Sequence, residues 1–183
     1  MSFLSFLFKK KQMNILICGL DGAGKTALVL KMQGTDPKSM EIKPTIGYLN
    51  PSLKYKTYEW LFWDVSGAAK FRGLWKSYYP NVKCIAYVFD NTDNDRFDES
   101  KTALLNMLAD NDLKGMPFII YVNKIDLKPY DPSFADKLAL TELQKSRCQI
   151  FPCSAYTGEG LMDGLDWMCY TLKKLMKHDN NKK

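Results

Sequence analysis

Residues 14–32 read Asn14-Ile15-Leu16-Ile17-Cys18-Gly19-Leu20-Asp21-Gly22-Ala23-Gly24-Lys25-Thr26-Ala27-Leu28-Val29-Leu30-Lys31-Met32. The apolar run Ile15–Cys18 predicts a buried strand. The stretch from Ala27 to Met32 predicts a helix. Between them lies a phosphate-binding loop, Gly19 to Thr26, in the strand–loop–helix setting that gives the motif its meaning. Glycines let the backbone fold tightly round an anion and turn its N–H groups inward. The helix N-terminus adds partial positive charge at the same place. Lys25 can reach the β- and γ-phosphates, and the Thr26 hydroxyl can ligate Mg²⁺. A plain glycine-rich turn is the alternative, and it gives no reason for Lys-Thr directly after the last glycine.

Outward from this loop the chain alternates. Strands are predicted at Asn14–Cys18, Tyr58–Asp64, Cys84–Asp90, Phe118–Asn123 and Gln149–Pro152. Helices are predicted at Lys25–Met32, Ser100–Ala109, Pro132–Leu140 and Gly160–Met176. Such alternation implies an α/β fold with a mostly parallel six-stranded sheet and helices on both faces. The segment Gly47 to Asp64 departs from it and reads as an antiparallel hairpin around Lys54-Tyr55-Lys56-Thr57, with Pro51 marking its first strand as an edge. Every ligand-type motif follows a strand, where ligands bind in such sheets.

With 183 residues, 46% hydrophobic and 25% charged, the chain has the make-up of one soluble domain. Its net charge of +6 resides largely at the ends, in Lys9, Lys10 and Lys11 and in the lysines after residue 172. No basic stripe interleaved with aromatics is present, which argues against nucleic acid as a partner. The five cysteines lack metal-binding spacing and suit a reducing cytoplasm. The lone His178 lies in a polar tail. The acidic run Asp90–Asp95 lacks the glycine of a calcium loop and reads as a turn that caps the next helix.

A phosphate loop does not choose between ATP and GTP. Asn123-Lys124-Ile125-Asp126 does, because the Asp126 carboxylate can accept from the N1–H and N2 amine of guanine. Adenine offers neither donor, and an unpaired buried carboxylate costs about 2–5 kcal/mol. Lys124 can lay its stem along the base. Ser154 and Ala155 follow the strand at Gln149–Pro152, and the Ala155 N–H can donate to guanine O6. Thr45 can place its hydroxyl on Mg²⁺, Asp64 can hold a water on the same ion, and the Gly67 N–H can meet the γ-phosphate. Losing that phosphate would release both loops.

Together these motifs, with Gly-Leu-Asp in the loop, Pro44-Thr45-Ile46-Gly47, Trp63-Asp64-Val65, Phe71–Tyr79 and Gly164-Leu165-Asp166-Trp167, resemble the Arf and Arf-like branch of the Ras superfamily of small GTPases over nearly the whole chain. The resemblance implies a P-loop GTPase domain over residues 13–177, between an N-terminal segment (1–12) and a polar tail (178–183). It implies a GDP/GTP switch whose hairpin slides in register, with Lys25 and Gly67 as transition-state contacts. The loop residues Gly19, Leu20, Asp21, Gly22, Ala23, Gly24, Lys25, Thr26 and Ala27 would hold the phosphates. Tyr48, Trp63 and Tyr78 would form the effector surface. An exchange factor, a GTPase-activating protein, effectors and a monomeric state follow from the same likeness, as does work in membrane trafficking, ciliary or Golgi.

The chain also departs from the pattern. Ala68 stands where the family has the glutamine that orients the attacking water, so hydrolysis is expected to be slow, or negligible in a pseudo-GTPase that only binds. An activating partner could supply the missing group in trans. Ser66 replaces a common glycine. Ser2 excludes N-myristoylation. Yet Phe3-Leu4-Ser5-Phe6-Leu7-Phe8 ahead of three lysines suits an anionic membrane surface, so residues 2–11 are expected to make the protein peripherally membrane-associated or to tuck into its own groove. A P-loop kinase is the rival class. It would need an arginine-bearing lid, which the sequence lacks, and would have no use for Asn123–Asp126.

Overall fold

A computed structural model describes residues 10–180. The apolar stretch Phe3–Phe8 and Lys9, on which the membrane expectation rests, lies outside the described residues, as do Ser2 and residues 181–183.

The strands are β1 (Lys11–Cys18), β2 (Tyr48–Leu49), β3 (Ser52–Tyr55), β4 (Tyr58–Val65), β5 (Cys84–Asp90), β6 (Phe118–Asn123) and β7 (Cys148–Pro152). The helices are α1 (Lys25–Met32), α2 (Phe97–Ala109), α3 (Phe134–Leu138), α4 (Glu142–Lys145) and α5 (Leu161–Asn180). Helix α5 thus extends into the first residues of the segment read as a tail. The sheet order is β2-β4-β1-β5-β6-β7, with β3 beside β2 on the edge of β4. The pairs among β4, β1, β5, β6 and β7 are parallel, and β2 and β3 run antiparallel to β4.

Seven strands are found where six are expected, because the outer arm of the hairpin is split at Asn50-Pro51. Pro51 has no N–H to give the ladder, although its carbonyl still accepts from the Phe62 N–H at 2.9 Å. The turn is confined to Lys56 and Thr57, with Lys56 at φ 51°.

Alternation along the central strands builds two cores. Cys84, Ala86 and Val88 of β5 face a layer with Leu28, Leu165 and Met168 of α1 and α5. Ile85, Tyr87 and Phe89 face the opposite layer with Leu104 and Met107 of α2 and Phe134 of α3. Helix α1 buries Lys25, Leu28, Val29 and Met32, one face at helical spacing. It ends in a Schellman motif: Gly34, at φ 84°, donates to the Lys31 carbonyl and Thr35 to that of Leu30. A 3₁₀ stretch, Ala69–Asn81, follows β4. No helix among the described residues is long and apolar enough to cross a membrane.

Candidate nucleotide and metal site

β1 ends at Cys18, and the loop turns through Gly19, Gly22 and Gly24 at φ 134°, 79° and 88°. A Cβ on Gly24 would stand 2.4 Å from Asn123 Nδ2, so glycine is required there for the loop to approach β6. Lys25 is 6% exposed, and its Nζ donates to the carbonyls of Gly19 (3.1 Å) and Leu20 (2.8 Å). Burial pulls its pKa down, and Asp64 nearby opposes that shift.

Thr26, Thr45 and Asp64 converge from three separate segments. Thr26 Oγ1 donates to Asp64 Oδ2 at 2.6 Å and lies 3.1 Å from Thr45 Oγ1. Asp64 is 1% exposed, and its other oxygen, Oδ1, has no hydrogen-bond partner among the described residues. Burial raises the Asp64 pKa, while the Thr26 hydrogen bond and Lys25 lower it. An orphaned buried carboxylate oxygen beside two hydroxyls fits a hard divalent cation such as Mg²⁺. Two hydroxyls, with the carboxylate placed to hold a water on the ion, leave coordination positions for phosphate oxygens and further water.

Two cavities meet at Gly24 and Ala27. The larger, about 580 Å³, is lined by Asp21, Gly22, Lys25, Thr26, Thr45, Ser66, Gly67 and Ala68, together with Lys43 and Lys70. The other, about 370 Å³, is lined by Pro37, Asn123, Lys124, Asp126, Leu127, Ala155 and Tyr156. The first offers backbone amides, an ammonium group and hydroxyls to an anion. The second offers apolar walls and one carboxylate, dimensions and chemistry suited to a flat base.

The Asn123–Asp126 and Ser154–Ala155 elements form one braced unit. Asn123 Nδ2 donates to the Ala23 carbonyl (2.8 Å), and its Oδ1 accepts from the Ala155 N–H (2.8 Å). The Ala155 N–H, which the sequence reading assigned to guanine O6, donates here to Asn123 Oδ1. Ser154 Oγ donates to Asp126 Oδ1 at 2.6 Å and accepts from the N–H groups of Tyr156 and Thr157. Lys124, at φ 72°, pairs through Nζ with Asp90 Oδ2 at 2.5 Å, which stretches its stem along the base cavity wall.

Tyr48, Trp63 and Tyr78 form a cluster. Tyr48 stacks on Trp63 with ring centroids 5.2 Å apart, and Tyr78 lies 5.6 Å and 5.7 Å from them. Tyr48 stays exposed, as do Ile46, Leu49 and Leu74. The acidic run after β5 is a turn, as expected, but it does not cap α2: Arg96 occupies the N-cap, and among the described residues no side chain bonds the first-turn N–H groups. Thr92 donates to Asp90 Oδ1 through both its N–H and its hydroxyl, and Asp93 accepts from the Arg96 N–H ahead of α2. All five cysteines are free and buried.

Several participants escaped the sequence reading. Leu127 and Tyr156 sit directly after motif residues, so adjacency alone could have suggested them. Arg72 and Arg96 could not be found that way: both reach Asp21 of the phosphate loop from 51 and 75 residues away.

The comparisons agree with this geometry. A family model described as the ADP-ribosylation factor family matches residues 1–172. ADP-ribosylation factor J of Dictyostelium discoideum is 36% identical over 177 residues, covering 93% of each chain. ADP-ribosylation factor-like protein 2 of Arabidopsis thaliana is 39% identical over 163 residues, or 87% of each. Among solved structures, the Arl6 BBS3 small GTPase from Trypanosoma brucei with bound nucleotide analogue GppNp aligns with a TM-score of 0.78 and 29% identity, over 90% of this chain and 99% of that one.

Proposed function

The chain belongs to the ADP-ribosylation factor family of GTP-binding switches, and from that premise we propose that its two joined cavities take GDP or GTP with Mg²⁺ and that the triphosphate form recruits effectors through Tyr48, Trp63 and Tyr78. The observation that carries this reading is the convergence of Thr26, Thr45 and Asp64, with Asp64 Oδ1 buried and unpartnered. Magnesium bound there would neutralise charge on the outer phosphates. Gly19–Ala27 would wrap the phosphates in backbone N–H groups, with Lys25 at their floor. Asp126 would accept from the guanine edge, held in place by Ser154, while Asn123 ties that loop to the phosphate loop.

Ala68 lines the phosphate cavity without a side-chain donor or acceptor. Positioning and electrostatics dominate phosphoryl transfer, so the chain alone would hydrolyse GTP slowly. The same residue supports a second reading, a binding module with negligible turnover. A membrane role rests on residues 2–11. Lys11 Nζ lies 3.2 Å from Met176 Sδ, so the segment would leave the domain beside the end of α5. The protein would then act peripherally at a membrane, in ciliary or Golgi trafficking.

The deciding experiment identifies the nucleotide that co-purifies by mass spectrometry and competes a fluorescent GDP with unlabelled GDP and ADP. Guanine nucleotide in the wild type, with preference lost in Asp126→Asn, supports the reading. Adenine nucleotide in the wild type refutes it. Liposome flotation of GDP- and GppNp-loaded protein, with and without residues 2–8, tests the membrane role, which fails if truncation changes nothing.

A further inference from the structure

We propose that Arg72 and Trp75 are positioning residues that aim two backbone N–H groups, those of Gly67 and Ala68, at the terminal phosphate of a bound nucleoside triphosphate. This rests on the phosphate-site reading above and deepens it: Ala68 takes part through its main chain.

In a trans peptide the C=O and the N–H point in opposite directions. Trp75 Nε1 donates to the Ser66 carbonyl at 2.9 Å, and that peptide unit carries the Gly67 N–H. Arg72 Nε donates to the Gly67 carbonyl at 2.6 Å, and that unit carries the Ala68 N–H. Both side chains line a separate cavity against α2, whereas Ser66, Gly67 and Ala68 line the phosphate cavity. Two consecutive carbonyls are therefore drawn toward α2, which turns the two N–H groups toward the phosphates. Among the described residues no protein acceptor takes either N–H. Two neighbouring N–H groups left unpaired on the rim of this cavity are free to donate to an anion.

The grip is itself anchored. Arg72 Nη1 pairs with Glu99 of α2 at 2.6 Å, and Nη2 lies 3.6 Å from Asp21 Oδ1. Trp75 is 4% exposed. A Cβ on Gly67 would stand 2.4 Å from the Asp21 nitrogen, so this segment is pressed against the phosphate loop and tolerates only glycine at that contact.

The test compares wild type, Arg72→Ala, Arg72→Lys and Trp75→Phe for affinity toward fluorescent GDP and GppNp, with circular dichroism to confirm folding. Losing one donor's aim at a phosphate should weaken GppNp about tenfold in Arg72→Ala and in Trp75→Phe and leave GDP within about twofold, with Arg72→Lys between. Equal weakening of both nucleotides, or unchanged GppNp affinity, overturns the proposal. If Trp75→Phe fails to fold, the Arg72 pair decides it. A wild type that prefers ADP would overturn the base assignment alone. The same variants would then be read with AppNp against ADP.

Discussion

The Asn123 side-chain amide donates to the Ala23 carbonyl across 2.8 Å, joining two segments 100 residues apart in the chain. The other end of that amide accepts from the Ala155 N–H, so one residue clasps the phosphate loop and both base-cavity loops. Asn123→Ala should orphan both backbone groups, at a cost of about 1–3 kcal/mol each. A lower melting temperature and faster release of fluorescent GDP are expected. Unchanged release would mean that the clasp is not needed to hold the nucleotide.

Asp64 predicts an unusual pH dependence. Its burial lifts the folded-state pKa above the ordinary 3.8. Just above pH 3.8 the folded chain then binds more protons than the unfolded chain, so nucleotide-free stability falls as pH rises through that window. Asp93, held low by Arg96, and Asp166, held low by Lys56 and Tyr55, contribute stability that is lost only as pH falls below 3.8. Asp64→Asn should flatten the slope above 3.8, as measured by denaturant titration across a pH series. A slope that persists in this variant would assign the effect elsewhere.

Restoring the missing water-positioning group should raise turnover. Ala68→Gln is expected to increase single-turnover GTP hydrolysis by about tenfold or more. A wild-type rate equal to that of glutamine-bearing relatives would defeat the premise.

Gly164 of α5 lies against Tyr121, where a Cβ would come within 2.3 Å of the phenol oxygen. Alanine would gain about 1 kcal/mol in helix propensity but would overpack a buried ring at a cost of about 1–3 kcal/mol. The ring is fixed because its hydroxyl donates to the Leu161 carbonyl at 2.7 Å. Gly164→Ala should therefore lower the urea midpoint. A raised midpoint would show that Tyr121 yields easily.

The hairpin tip is latched to α5. Tyr55 OH donates to Asp166 Oδ1 at 2.6 Å, and Lys56 Nζ pairs with the same oxygen at 2.6 Å. Asp166→Ala should speed amide exchange at Lys56 to Tyr58 with little change at β6. Equal exchange in both proteins would assign the tip's order to the β3–β4 ladder alone.

Local patterns, acting over a few residues, were sufficient to specify much of this protein. The strand–loop–helix at residues 14–32, the parallel strands, and the candidacy of Thr26, Asp64 and Asp126 all follow from periodicity and from the chemistry of side chains at set spacings. What local pattern could not decide was partnership across the sheet. Asn123 braces two loops, Arg72 and Trp75 hold the peptides flanking Gly67, and Ala155 turns its N–H to Asn123. These bonds join residues far apart or set the direction of a peptide plane, and both depend on how β1, β4, β5 and β6 stack side by side. No run of residues encodes that geometry by itself, so only the folded sheet settles it.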